Sequence, residues 1–132
     1  MTTSLYLLDT NVCIDFLLGR SATLARRMGD CLDALSVSAI TAAELRVGNR
    51  ASSDPVGDGR RVEAFLSLLN IAPFDDPASR TYAQVAAQVG IPRSSFDRLI
   101  GTQALALGMV LVTRNRKDFA DIEGLKMEDW TL

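Results

Sequence analysis

Acidic and amide side chains recur where a predicted strand ends or a predicted helix begins. If the strands are parallel, their carboxyl ends lie along one edge of the sheet, where open α/β sheets bind ligands. Side chains that are distant in sequence would then converge on one site. The residues come from four separate segments and are Asp9, Glu44, Asp97, Asn115 and Asp118.

Carboxylates that converge repel one another, so burying them together is unfavourable unless a cation compensates their charge. Oxygen ligands without histidine or cysteine suit a hard divalent ion, Mg²⁺ or Mn²⁺. Such an ion can activate water and neutralise a phosphodiester during an in-line displacement. The chain contains no histidine, which excludes Ser-His-Asp and Cys-His mechanisms but leaves this metal chemistry open.

Each of these acids also has a purely structural explanation. Asp9 could simply cap the helix that follows it, as aspartate commonly does. Glu44 could close a T-x-x-E capping box that begins at Thr41. Asp97 could belong to a similar helix start at Ser94. No single position decides the matter, and the hypothesis of a metal site depends on the whole set.

Short apolar runs alternate with helical segments along the chain. This alternation predicts a three-layer α/β/α sandwich with a mainly parallel central sheet. The segment 52–59 is rich in Ser, Asp, Pro and Gly and is predicted to be a loop. The predicted strands are residues 5–8, 36–40, 71–74 and 109–112, with a small last strand at 125–127.

Length and composition indicate one domain, residues 1–132, with 48% hydrophobic residues and a net charge of −2. No apolar run is long enough to span a bilayer and no signal peptide is evident, so a cytoplasmic protein is expected. Cys13 and Cys31 form no metal or redox motif and are interpreted as buried thiols. Several further acids are interpreted as solvated surface residues without a role, namely Asp15, Asp30, Asp33, Glu63 and Asp121.

Four motifs, taken jointly and in order, resemble those of PIN-domain ribonucleases, and most closely the VapC toxins of bacterial toxin–antitoxin pairs. The C-terminal residues Gly124-Leu125 and Glu128-Asp129-Trp130 also resemble that family, whereas Gly101 stands where relatives often have alanine. The motifs are Leu7-Leu8-Asp9-Thr10-Asn11, Thr41-Ala42-Ala43-Glu44-Leu45 with Gly48, Phe96-Asp97-Arg98-Leu99-Ile100, and Leu111-Val112-Thr113-Arg114-Asn115 with Asp118-Phe119.

The resemblance implies a PIN fold and a Mg²⁺- or Mn²⁺-dependent endoribonuclease that acts on structured RNA such as tRNA or rRNA. It also implies a cognate VapB-like antitoxin and a homodimer. Residue by residue, the resemblance implies that Asp9, Glu44 and Asp97 form the acidic cluster that binds the metal.

The fourth acidic position of the family falls on Asn115, where many relatives carry aspartate. An amide can coordinate a metal but adds no charge, so Asp118 is the alternative. By the same resemblance, the polar residues that would orient ligands or water are Thr10, Asn11 and Thr113.

Basic residues flank the acidic motifs and could guide an RNA backbone towards them, since Arg and Lys supply most sequence-independent affinity. Arg98, Arg114 and Arg116 are the best candidates for contact with RNA or with the antitoxin. The full flanking set is Arg46, Arg50, Arg93, Arg98, Arg114, Arg116 and Lys117.

Two other functions stay open on the sequence. One is an aspartyl-phosphate phosphotransferase with Asp9 as nucleophile, although such sites usually have a second aspartate two residues on, and Asn11 stands there. The other is a catalytically silent PIN-like module that binds RNA or protein.

Overall fold

A parallel sheet forms the centre of the computed structural model, which describes residues 4–48, 52–90 and 96–132. Within these residues the strand order is β3-β2-β1-β4-β5, and every pairing of neighbouring strands is parallel. The strands are β1 Tyr6–Leu8, β2 Leu35–Ser38, β3 Asn70–Ala72, β4 Val110–Val112 and β5 Met127–Glu128.

Helices connect the strands, and polar side chains start several of them. The Ser21 side chain accepts a hydrogen bond from the backbone N–H of Leu24, and Asp75 accepts one from Ala78. Gly108, at φ 67°, follows the helix before β4 in the left-handed conformation that glycine adopts readily. The helices are α1 Thr10–Leu17, α2 Ala22–Asp30, α3 Ala39–Gly48, α4 Pro55–Ser67, α5 Asp76–Val89 and α6 Phe96–Leu107.

Two hydrophobic cores, one on each face of the sheet, confirm the predicted three-layer sandwich. Successive residues of a strand point to opposite faces, so Leu8 packs in one core and Leu7 in the other. The Leu8 core contains residues of α1 to α4, whereas the Leu7 core contains residues of α5 and α6. This arrangement places the carboxyl ends of all these strands along one edge.

Trp130, near the C-terminus, is buried in the Leu8 core. Its ring is buried, lies 4.9 Å from the Tyr6 ring in an edge-on arrangement, and carries the Arg27 guanidinium 5.0 Å above it. The indole N–H donates to Glu128 at 2.9 Å, which satisfies the polar group that burial removes from water. The segment after β5 therefore closes the Leu8 core.

Several local predictions were wrong. The predicted strand 36–40 ends at Ser38, and α3 already includes Ile40. The predicted loop 52–59 contains the start of α4, because Asp54 accepts from the Gly57 N–H and Pro55 occupies the first turn, where it is tolerated. Cys13 is buried as expected, but Cys31 is only partly buried. The predicted helix-start residue Ser94 and the basic residues Arg50 and Arg93 lie outside the described residues.

Among the helices that the structure describes, none has the length and apolar character needed to cross a membrane. The longest, α5, has 14 residues, and a spanning helix needs about 20.

Gly101 lets α6 approach the segment after β4 closely, and this contact yields a stability prediction. A Cβ at this position would lie 2.8 Å from Phe119 Cδ1 and 2.8 Å from Ile122 Cδ1, and both side chains are buried. Gly101→Ala should therefore lower the free energy of unfolding, because overpacking by about 1–3 kcal/mol outweighs the gain of about 1 kcal/mol in helix propensity.

Gly29→Ala in α2 is the matched control for chemical denaturation, because no atom lies within 4 Å of its added Cβ. This variant should be as stable as the parent protein or more stable. Equal stabilisation by both substitutions would contradict the close approach at Gly101.

Candidate functional site

Asp9 is the most buried acid at the strand edge, with 1% of its surface exposed. It directly follows β1, and Thr113, which directly follows β4, donates its hydroxyl to Asp9 Oδ2 at 2.9 Å. The other carboxylate oxygen, Oδ1, is buried and forms no hydrogen bond within the described part of the chain. Asp9 is the N-cap residue of α1, although its side chain makes no capping hydrogen bond, and the backbone N–H groups of Thr10 and Asn11 lie close enough to lower the pKa of its carboxyl.

Strand register explains why Asp9 meets Thr113. Leu8 in β1 is aligned with Val112 in β4, which is aligned with Glu128 in β5. The ladder continues one residue beyond these, as the Asp9 N–H donates to the Val112 carbonyl and the Thr113 N–H to the Glu128 carbonyl, each at 3.0 Å. The backbone of both residues is therefore held by sheet hydrogen bonds.

Glu44 is held by the hydroxyl of Thr10, the residue that follows Asp9. Thr10 Oγ1 donates to Glu44 Oε1 at 2.8 Å and lies 2.9 Å from Thr41 Oγ1. Because the single hydroxyl proton of Thr10 goes to Glu44, Thr41 is the donor in the second bond. The residue next to Asp9 thus positions the Glu44 carboxylate.

The capping box predicted for Thr41 and Glu44 is wrong. α3 begins at Ala39, and Ser38 Oγ accepts from the Ile40 N–H at 3.0 Å. Since Ser38 serves the helix start, Thr41 and Glu44 are interior helical residues whose side chains interact with Thr10 instead.

Asp97 and Asp118 complete the acidic edge and influence the protonation of their neighbours. Burial raises the pKa of Asp9 to about 6, and the nearby charge of Asp97 adds to this effect. The Thr113 hydroxyl and the backbone N–H groups of Thr10 and Asn11 oppose it. Burial also raises the pKa of Asp97, and the charge of Asp118 contributes. Asp9, Asp97 and Asp118 therefore form a chain of mutually repelling carboxylates.

The other predicted residues are less involved. Asn115 is half-buried, and its backbone N–H donates to Thr113 Oγ1 at 3.0 Å, whereas Asn11 and Asp118 are exposed. In residues 4–48, 52–90 and 96–132, no three acidic or cysteine side chains are grouped closely enough to hold a metal ion together. The carboxylates thus share one edge without forming a compact three-acid cage, as their repulsion favours.

A hard divalent cation nevertheless fits the residues that are present. Asp9 Oδ1 is a buried anionic oxygen with unused acceptor capacity, and Asp97 lies close enough to disfavour its ionisation. A cation at this point would offset the repulsion, and the donors available are oxygens of the kind that Mg²⁺ and Mn²⁺ bind.

The predicted basic contacts fall into two groups. The Arg98 side chain is only 11% exposed and pairs with Asp121 at 2.5 Å, while Arg46 forms two hydrogen bonds to Glu63. Arg114 and Arg116 line an open pocket beside Asn115, and Arg114 also pairs with Asp15. The structure thus places Arg114 and Arg116, but not Arg98, on an accessible basic surface.

Asp15 was wrongly interpreted as a solvated surface acid. Its side chain is 2% exposed and forms ion pairs with Arg20 and Arg114, each at 3.1 Å. One signal was available in the sequence, because Asp15 stands three residues after the buried Val12 and thus on the inward side of α1. The arginine partners could not be inferred from that spacing.

Comparison with known proteins matches residues 6–125 to the PIN domain family. The tRNA(fMet)-specific endonuclease VapC of Shigella flexneri is 30% identical over 129 residues, which cover 96% of this chain and 98% of that protein. Ribonuclease VapC1 of Haemophilus influenzae strain R2866 is 33% identical over 132 residues, with 96% and 98% covered. The crystal structure of DNA-bound VapBC from Salmonella typhimurium contains a chain that is 30% identical and superimposes with a TM-score of 0.89, with 97% and 99% covered.

The raised pKa of Asp9 predicts how stability depends on pH in the metal-free protein. The unfolded carboxyl ionises near pH 3.8 and the folded one near pH 6, so an unfavourable contribution develops as the pH rises through this window. It amounts to at most about 3 kcal/mol above pH 6. Asp9→Asn should therefore be more stable than the parent protein at pH 7 in EDTA, and this advantage should vanish near pH 4.

Urea denaturation at several pH values measures this difference. Asp30→Asn, at an exposed position of α2, is the control for loss of a charge and should show no such pH-dependent gain. A parent protein that gains stability relative to Asp9→Asn between pH 4 and pH 6 would contradict the raised pKa.

Proposed function

Since this chain belongs to the VapC family of PIN-domain ribonucleases, we propose that it is the toxin of a toxin–antitoxin pair and a divalent-metal-dependent endoribonuclease. One observation supports the metal-dependent part above all: Asp9 presents a buried, unpartnered carboxylate oxygen at the strand edge. Structured RNA, tRNA or rRNA, is the proposed substrate class. Initiator tRNA is the first candidate, because the Shigella relative is named for that RNA.

Asp9, Asp97 and Glu44 would hold the ion, with Asn115 or Asp118 as the fourth position. Because no three acids of the described residues are grouped closely enough for joint direct contact, some of these side chains would reach the ion through bound water, as is usual for Mg²⁺. When bound, Mg²⁺ or Mn²⁺ supplies the charge that activates the attacking water and stabilises the phosphate during displacement. Thr113 keeps Oδ2 of Asp9 in place through its hydroxyl, which leaves Oδ1 to face the ion. Thr10 holds the Glu44 carboxylate near the same edge.

Cleavage of tRNA(fMet) transcript by the purified protein tests this proposal. Activity should require Mg²⁺ or Mn²⁺, stop with EDTA, and fall by at least about 100-fold in Asp9→Asn and Asp97→Asn, because each removes an anionic ligand. Asp30→Asn removes the same charge away from the site and should keep full activity. Cleavage that persists in EDTA, or in Asp9→Asn, would refute the metal-dependent mechanism.

The same assay separates the alternatives for the fourth position. If Asp118 acts, Asp118→Asn should lower activity while Asn115→Ala changes it little; if Asn115 acts, the order is reversed. A trapped phospho-aspartate would favour the phosphotransferase, and RNA binding in Mn²⁺ without cleavage would favour the silent module.

An apolar groove of about 480 Å³ lies beside Glu44 and is the proposed docking surface of a VapB-like antitoxin. Solved relatives are VapBC complexes, and a groove of this kind suits the apolar face of an amphipathic helix. Its apolar wall is formed by Ile14, Leu17, Leu18, Leu45 and Val62. An antitoxin seated there would reach the site, because Glu44 lines the groove too.

A homodimer belongs to the same proposal and can be tested by light scattering.

Leu18→Glu should weaken neutralisation by the antitoxin while RNA cleavage by the free protein stays unchanged. Leu18 lines the groove and is 61% exposed, so the folded protein tolerates the charge, whereas an apolar partner does not. Leu68→Glu is the matched control, since Leu68 is 60% exposed and is not among the residues that line the groove. Titration of cleavage with purified antitoxin gives the inhibition constants. Equal inhibition constants for the two variants would rule out this groove.

A further inference from the structure

A second concave surface adjoins the acidic edge, and its lining carries one more positive side chain than negative ones. This basic pocket has a volume of about 390 Å³ and is lined by Arg114, Asn115, Arg116, Lys117, Asp118, Asp129 and Leu132. Asp118 belongs to the acidic edge as well, so the two surfaces share a wall. The described lining residues carry three positive and two negative side chains.

One of the two acids is engaged locally. Asp129 Oδ1 accepts from the backbone N–H of Thr131 at 2.9 Å and from its hydroxyl at 2.6 Å. These bonds hold the carboxylate in the turn after β5. Asp129 keeps its negative charge, so the side chains of Arg114, Arg116 and Lys117 leave the lining with an excess of one positive side chain, which favours an anionic ligand.

Arg114 forms an ion pair with the buried side chain of Asp15. The ion pair joins Arg114 Nε to Asp15 Oδ2 at 3.1 Å, so the two terminal nitrogens of the guanidinium are not used by it. Asp15 is shared with Arg20, and the three side chains together keep one net positive charge. The ion pair thus keeps Arg114 beside Asp15 without abolishing the positive charge, although Asp15 Oδ2 accepts no hydrogen bond from the described residues.

The pocket and the acidic edge are joined by consecutive residues of the chain. Thr113 donates to Asp9, and the next two residues, Arg114 and Asn115, line the pocket. Two residues of chain span at most about 7 Å. Because Thr113 contacts Asp9 and the next residue lines the pocket, an RNA backbone with one phosphate at Asp9 would pass beside Arg114.

We propose that the basic pocket binds the RNA phosphate adjacent to the scissile phosphodiester, and that Asp15 is a positioning residue for Arg114. The proposal rests on the proposed nuclease function, which places the scissile phosphate at Asp9. Phosphate binding, however, can be measured without cleavage. Arg114 and Arg116 contribute paired donors that suit phosphate oxygens, and Lys117 contributes a point charge.

Binding is measured by fluorescence anisotropy in the Asp9→Asn background with EDTA, using a labelled single-stranded RNA oligonucleotide. Arg114→Gln, Arg116→Gln and Lys117→Gln should each raise Kd about threefold to tenfold and reduce the slope of log Kd against log salt by about one. Arg26→Gln removes the same charge from an exposed position of α2 and should change neither value beyond the general loss of charge.

A neutral methylphosphonate linkage, moved one position at a time along the oligonucleotide, shows whether one phosphate is recognised. In the Arg26→Gln protein, one linkage position should weaken binding more than the others. In the Arg114→Gln protein, a neutral linkage at that position should weaken binding no more than one elsewhere, because the guanidinium that binds the phosphate is absent. A position that stays equally sensitive in Arg114→Gln would overturn the proposal.

Asp15→Asn tests the positioning role, and a double-mutant cycle with Arg114→Gln separates it from a general loss of stability. Asp15→Asn should raise Kd about as much as Arg114→Gln does, and should add little in the Arg114→Gln background. Additive effects would show that Asp15 acts independently of Arg114 and would overturn its assignment. Circular dichroism and Tm identify variants that fail to fold, and for these Asp15→Glu replaces Asp15→Asn.

The outcomes for the pocket and for the nuclease are distinct. Cleavage that is lost in Asp9→Asn but unchanged in KM by all three pocket substitutions would keep the nuclease and refute the pocket. Phosphate-specific binding without any cleavage would keep the pocket and refute the nuclease. A pocket that binds a carboxylate-rich antitoxin peptide but not RNA would also refute the proposal.

Discussion

The burial of the Asp9 carboxylate at the carboxyl end of β1 is the constraint on which the rest of the site depends. A buried anion is unfavourable unless hydrogen bonds or a cation compensate it. Here one oxygen accepts the Thr113 hydroxyl and the other is left without a partner, while Asp97 lies close enough to raise the pKa further. The fold therefore holds an acid under electrostatic strain at the one edge where strand ends meet, and this strain is what a divalent cation would relieve.

Positions on both sides of Asp9 are set by backbone hydrogen bonds and by hydroxyl groups rather than by long flexible side chains. The β1–β4–β5 ladder holds Asp9 and Thr113 in register, and Thr10 links Glu44 on α3 to α1. Short side chains lose little conformational entropy when they are ordered. The acidic edge is thus pre-organised. Its two neighbouring surfaces differ in character, because the groove near Glu44 is apolar and the pocket near Asn115 is basic.

The role assigned to Asp15 depends on its tertiary contacts. On α1 it is one acid among several, but its burial between Arg20 and Arg114 links the end of the first helix to the loop after β4. Arg98, which the motif favoured as an RNA contact, is instead mostly covered and paired with Asp121. Both cases arise because ion pairing depends on the distance between segments that are far apart in the chain.

The sequence by itself determined the fold class, because apolar runs and helical periods are local signals, and its ordered motifs identified the family. It also predicted that Asp9, Glu44, Asp97, Asn115 and Asp118 share one edge of the sheet. It also located most strands to within two residues, although it missed the starts of α3 and α4, where Ser38 and Asp54 act as local hydrogen-bond acceptors. Only the tertiary structure decided which acid is buried, which oxygen lacks a partner, and that Thr41 and Glu44 bond to Thr10 rather than to their own helix start. Burial and through-space hydrogen bonds depend on how strands and helices pack, and no spacing within a single segment encodes that packing.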